Sequence, residues 1–225
     1  MKNIGVGILS LFIALPLWGQ GLTITMKENG PIGETKPMIQ TDRTHARLDA
    51  PSLASQVLYD SSTKTLRLVV PLLKTYREYT PATMQGAPPI VGRGQPAAAP
   101  VPITYKRTGS TKVKDWTCTT YEGFRGSEKV VELCAAESTA IGLTSADFTI
   151  VQQAIDMVKT VTAPDLIERI PIYGSVANQG FAGFPVRRVS FRNGQPESTA
   201  ELVEIRREAV PVENFSVPAG FTQAP

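Results

Sequence analysis

Apolar and polar residues alternate along much of this chain. Leu22, Ile24 and Met26 are separated by Thr23 and Thr25, the two-residue period of a strand with one buried face. Ala46–Asp49 and Gln56–Tyr59 read as further short strands. The polar cluster Asp60–Lys64 makes a turn into Leu66–Val70, Pro71 ends that strand, and Lys74–Tyr79 resumes it. This succession predicts an antiparallel meander. Strands return at Ile103–Lys106, about Val113–Glu122 and Glu128–Ala136.

The period then changes. Phe148, Val151, Ala154, Ile155, Val158 and Val161 recur at three- and four-residue steps, with Gln152, Gln153, Asp156 and Lys159 between them. That is a helix with one apolar stripe, capped by Thr144 or Ser145 and limited by Pro164. Asp165–Ile170 adds room for one more helical turn before Pro171. Beyond it, Phe184–Phe191 leads into Asn193-Gly194, a strong hairpin signal, and a return strand from about Thr199 to Arg207. A two-residue turn pairs Arg192 with Gln195. It places Phe191, Val189, Ala200 and Leu202 on one face and Arg188, Ser190, Glu197 and Thr199 on the other. Pro196 then needs an edge or a bulge, and a four-residue turn is the alternative. Phe215 and Phe221 lay the final segment against the core. No internal repeat is present. An amphipathic helix must bury its stripe, and a curved sheet offers the surface. The expected fold is α+β, a curved antiparallel sheet (half-barrel) with one main helix on its concave face.

Two segments break the alternation. Met1 to about Gly21 has an early Lys, an apolar run from Ile4 to Leu17 and then small residues, which reads as a secretory signal. The run is shorter than the roughly 20 apolar residues that span a bilayer, so no integral membrane segment is expected after its removal. No cysteine follows it to carry a lipid anchor. Pro81–Pro102 holds six prolines and three glycines and is expected to be a loop that packs no core, within a single domain over residues 22–221. It is read as a tolerated insertion or as a docking segment for an envelope protein partner.

Charge and cysteine content narrow the chemistry. The 225 residues carry 23 basic and 20 acidic side chains, dispersed apart from Arg187-Arg188 and Arg206-Arg207. Nucleic-acid binding, which shows as clustered positive charge, is not expected. Two cysteines in an exported chain imply one disulfide. Cys118 and Cys134 flank the Gly123–Gly126 turn, and a hairpin centred on Gly126 sets the sulfurs opposite each other. No C-x-x-C is present, so a structural bridge is expected rather than a redox thiol.

A catalytic apparatus is not legible. His45 is the lone histidine, with Asp42 and Asp49 dispersed around it in no metal-ligand spacing. It is expected to be a solvated strand residue. No G-x-S-x-G elbow occurs, and Glu128, Glu132 and Glu137 fall on turns and strand surfaces. Gly92-Arg93-Gly94 lies in the proline-rich segment, not between a strand and a helix. Neither enzyme activity nor a cofactor or metal is expected.

The ordering of particular elements carries a resemblance. These are Lys74-Thr75-Tyr76, the strand with Trp116, Cys118 and Tyr121 and its return, the helix, Gly183–Val186, and the closing Phe215-x-Val217-Pro218-x-Gly220-Phe221. Together they resemble an exported bacterial family known as domain of unknown function 4412, over most of Leu22 to Phe221. That family is similar to the lipoprotein-carrier fold of LolA and LppX. The resemblance implies a fold able to hold an apolar ligand, a lipid or lipoprotein acyl chain, between sheet and helix. Phe148, Val151, Ile155, Val158, Phe181 and Phe184 are then the candidate lining, and the same residues could equally fill a core. The family supplies no catalytic residues, and the proline-rich segment departs from its compact pattern. The expectation is a periplasmic or secreted, non-catalytic binding or carrier-like protein. The alternative is an envelope protein-interaction or structural module without a small ligand.

Overall fold

The computed structural model describes residues 21–84, 101–162 and 180–224. The expected signal segment lies outside the described residues, except for Gly21. So do most of the proline-rich segment and the extra turn at Asp165–Ile170.

A single curved, open sheet holds the strands. In chain order they are β1 (Gly21–Gly30), β2 (Gly33–Thr35), β3 (Met38–Thr41), β4 (His45–Ala50), β5 (Ser55–Asp60), β6 (Thr65–Val70) and β7 (Thr75–Tyr79), then β8 (Thr104–Val113), β9 (Trp116–Arg125), β10 (Glu128–Ala136), β11 (Phe184–Arg192), β12 (Gln195–Glu208) and β13 (Thr222–Gln223). The order across the sheet is β13-β7-β6-β5-β4-β3-β1-β12-β11-β10-β9-β8, with β2 pairing on β1. Every ladder is antiparallel except β13 on β7. The last long strand, β12, therefore pairs with the first and joins the β3–β7 meander to the β8–β11 strands. A short helix α1 (Pro81–Met84) follows β7, and α2 (Thr149–Val161) lies on the concave face. The half-barrel with one main helix is the expected fold.

The concave face carries the core. On β1 the alternation delivers Leu22, Ile24 and Met26 inward, each 2 % exposed or less. They continue into Ile39, Leu48, Val57, Tyr59 and Leu66 on neighbouring strands and into the buried stripe of α2. The opposite face of β1, β3 and β4 is polar yet also covered. Thr23, Gln40 and Arg47 lie side by side in register. Gln40 donates to Thr23 Oγ1, Asn214 donates to Gln40, and Arg47 donates both to the Asn214 carbonyl and to Asp49. The segment Val212–Phe215 thus closes this face through hydrogen bonds as well as through the buried Phe215 ring.

Three local readings change. First, β8 runs to Val113 and a turn at Lys114-Asp115 separates it from β9, so Val113 belongs to the earlier strand. Most of β8 is exposed, and a strand with no buried face leaves no alternation to read. The short β2 and β3 escape for lack of length. Second, Arg192 does pair with Gln195, but Phe191 pairs with Pro196 and Ser190 with Ser198, leaving Glu197 as an extra residue. Pro196 has no N–H for the ladder, and the bulge absorbs that defect. The shift pairs Arg188 with Ala200 and Val189 with Thr199, so Val189 shares a face with Thr199 and not, as expected, with Ala200 and Leu202. Third, Cys118 and Cys134 form a disulfide, but Cys134 pairs with Thr120 and Cys118 with Ala136. A bulge between Lys129 and Val131 shifts the register, so the bridge runs diagonally between Cα atoms 5.3 Å apart.

Gly183, immediately before β11, has to be a glycine. Its φ of 93° is a left-handed conformation, and a Cβ there would collide with the Ala136 carbonyl of β10.

The bridge closes a loop with a sequence separation of 16. Replacing both cysteines by serine is expected to lower unfolding stability by about 3 kcal/mol on the chain-entropy model. Urea unfolding of wild type and variant measures the difference.

Candidate functional site

The placement of α2 begins at its N-terminus. Residues Ser145–Phe148 form one 3-10 turn that feeds the helix. Thr144 donates its N–H and its hydroxyl to Asp147 Oδ2, at 2.6 and 2.9 Å. Arg207, near the end of β12, donates from Nη1 and Nη2 to the two oxygens of Asp147 at 2.9 and 2.7 Å, and from Nη2 to the Gly142 carbonyl at 2.6 Å. Burial pushes the Asp147 carboxyl up. The hydrogen bonds from Arg207 and Thr144 outweigh it and hold the pKa below the usual aspartate value. One two-pronged ion pair therefore fixes the start of the helix to the far end of a strand.

From that anchor, Val151, Ala154, Ile155, Val158 and Val161 turn into the core, over β4, β5 and β6. Phe148 packs on Phe184 with ring centroids 6.0 Å apart. Of the six expected lining residues, Phe148, Val151, Ile155, Val158 and Phe184 are thus brought together, each 8 % exposed or less and packed within the core. Phe181 is not among them. Its ring meets Tyr105 edge-on at 4.9 Å and Tyr121 at 5.7 Å, on β8 and β9.

The open space lies on the flank of the same helix. Ile150, Gln153 and Met157 form a second stripe beside the buried one. They face Tyr59, the β5–β6 turn at Ser61 and Lys64, and α1 with Pro81 and Met84. Between them is an open cleft of about 700 Å³. Ile150, Met157 and Met84 are half-buried and pack against the core, so they give the cleft an apolar floor. Lys64 and Asp156 stand at its rim. The Tyr59 hydroxyl donates to Gln153 Oε1 at 3.3 Å, tying helix to sheet inside the cleft. Burial, aided by the charge of Asp60, pushes the Tyr59 phenol above its ordinary pKa. The spacing 150, 153, 157 was a readable signal for this second stripe. Nothing in the sequence placed Met84, from the proline-rich segment, against it.

His45 is half-buried rather than a solvated strand residue. Its Nδ1 lies 3.0 Å from Asp42 Oδ2, and its ring stacks on Phe215 at 5.2 Å. Asp42 also accepts the backbone N–H groups of Thr44 and His45. Burial pushes its carboxyl up, but these hydrogen bonds prevail and hold it below the usual value. The arrangement locks the β3–β4 turn. Among the described residues, no three His, Cys, Asp or Glu side chains gather as metal ligands. No helix among them is long and apolar enough to cross a membrane.

A family model described as a domain of unknown function (DUF4412) matches residues 39–221. No curated protein matches the chain. Among solved structures, an uncharacterized conserved protein from Thermus thermophilus is similar at a TM-score of 0.50 and 10% identity, over 91% of this chain and 90% of that one. This is a likeness of fold. A LolA-superfamily protein from Nitrosomonas europaea aligns over 90% of this chain and 91% of its own, with 10% identity and a TM-score of 0.25. A DUF1329-family protein from Desulfovibrio piger aligns over 88% and 90%, with 9% identity and the same TM-score. At that TM-score the likeness specifies neither ligand nor site.

Asp147→Asn removes the ion pair while keeping the side chain's shape. A loss of about 1–2 kcal/mol is expected near neutral pH from the weakened cap and the partly screened pair. A carboxyl with a lowered folded pKa stabilises fully above its unfolded value of about 3.9 and loses that contribution as pH falls through the folded pKa. The gap between wild type and variant, read from urea unfolding curves, should therefore hold above about pH 4 and narrow below it.

Proposed function

The chain belongs to the DUF4412 family, a domain of unknown function, and from that premise we propose that it is an exported, non-catalytic binding protein for a single-chain amphiphile. The cleft beside α2 carries this reading. Its volume of about 700 Å³ lies within the range of small-ligand sites, roughly 300–1,000 Å³. Its floor is apolar, and Met84 and Met157 supply unbranched, adaptable side chains suited to a flexible alkyl chain. Lys64 and Asp156 at the rim suit a polar or zwitterionic head left toward water. The residues packed beneath α2, Phe148, Val151, Ile155, Val158 and Phe184, serve in this reading as the rigid support behind the floor. Export to the periplasm or beyond is supported by the apolar leader pattern and by the disulfide.

Titration with a fluorescent long-chain fatty acid tests the proposal. The expected result is saturable one-to-one binding, weakened at least about tenfold by Met157→Glu or Ile150→Glu, since each buries a charge against an alkyl chain. Both positions are only half-buried, and circular dichroism checks that the variants fold. No saturable binding by folded wild type, or unchanged affinity in both variants, would overturn the reading.

A further inference from the structure

A second cavity lies elsewhere in the molecule, where the core-facing row of β1 ends. After Leu22, Ile24 and Met26 the same alternation delivers Glu28, which is 5 % exposed. Its cross-strand neighbours are Thr35 on β2 and Ala200 on β12. Among the described residues its carboxylate takes one hydrogen bond, from Thr35 Oγ1 to Oε2 at 3.3 Å, and pairs with no lysine or arginine.

Glu28 opens on a cavity of about 180 Å³ between the β1–β2 turn, the β4–β5 turn and the β11–β12 hairpin. Ser52, Ser190 and Ser198 share its wall, and Ile32 and Leu53 form its apolar side. None of the three serine hydroxyls bonds another described residue. The second acid in the wall, Glu197, is already matched by Arg192 Nη2 at 2.5 Å. Glu28 is the carboxylate there without a counter-charge among the described residues.

A carboxylate enclosed in this way has lost most of its hydration, and one long hydrogen bond does not replace it. A group bearing both positive charge and several N–H donors does so best, because charge-assisted hydrogen bonds are the strong ones. Hydroxyl oxygens can accept the remaining N–H groups. The volume equals that of about six waters, which admits a short amine. We propose that this cavity binds a primary ammonium group, with Glu28 accepting its charge-assisted hydrogen bond and the serine hydroxyls accepting the others. The ammonium can come from a free small amine or from a phospholipid head group. The site is separate from the cleft beside α2, and Glu28 takes no part in the fatty-acid titration.

Calorimetric titration of the full chain with ethanolamine and choline, and co-sedimentation with vesicles of phosphatidylethanolamine or phosphatidylcholine, tests this. Ethanolamine should bind one-to-one, with choline at least about tenfold weaker because its nitrogen carries no N–H. Glu28→Gln, which keeps the shape and removes the charge, should abolish the ethanolamine signal. The partly exposed pair Ser190→Ala with Ser198→Ala should weaken it and decides the matter if Glu28→Gln fails to fold. Retention on phosphatidylethanolamine vesicles but not phosphatidylcholine supports a lipid source, and ethanolamine binding without retention supports a free amine. The proposal is overturned if folded wild type binds neither ethanolamine nor phosphatidylethanolamine. Equal affinity for choline, or undiminished binding by folded Glu28→Gln or the serine pair, overturns it as well.

Discussion

The row Ala46, Leu48, Val57, Tyr59 and Leu66 on the concave face has to be kept from water, and α2 lies across the strands that carry it. A curved sheet with this row bare would expose a continuous apolar strip, and the burial of apolar area is the main favourable term in folding. Val151, Ala154, Ile155, Val158 and Val161 answer that row. This contact shapes the open space beside the helix. It determines where the cleft can open, because the cleft is what remains on the flank once the stripe is buried.

A stripe fixes which side of a helix is buried but not where along the sheet it sits. Directional bonds do that. Arg207 reaches from β12 to both oxygens of Asp147 and to the Gly142 carbonyl, while the Tyr59 hydroxyl holds Gln153 over β5. The first bond set pins the entry of the helix and the other its middle. The reverse face of the sheet follows the same logic with polar groups, since Asn214 and Arg47 satisfy buried donors and acceptors that an apolar cover would leave unpaired.

Much of the architecture was legible because local periods are strong signals. The β1 alternation, the helix from Thr149 to Val161 and the Asn193-Gly194 turn each depend on neighbours a few residues away. Strand β8 was not legible along most of its length, since an exposed edge needs no particular pattern. Of the candidate site, the buried stripe could be read, whereas the cleft could not. It takes Tyr59, Met84 and Met157 from three separate parts of the chain, and no short-range period connects them. Glu28 was hidden differently: the row of Leu22, Ile24 and Met26 runs on to it, but only the pairing of β1 with β2 and β12 shows its carboxylate enclosed rather than at a frayed strand end.

The sequence by itself determined the α+β class, the single main helix, the one disulfide and the absence of a readable catalytic motif, because each is a matter of composition or of spacing along the chain. Only the tertiary structure decided which residues line open space. Single-residue bulges at Glu197 and near Val131 reset the cross-strand partners of the hairpins, and such shifts come from pairing rather than from local preference. Phe181 parts from the other five aromatic and aliphatic candidates because Tyr105 and Tyr121, on strands far from it in the chain, take its ring. Side-chain chemistry can be read residue by residue, but whether a side chain fills a core or faces a cavity depends on what the rest of the chain brings against it.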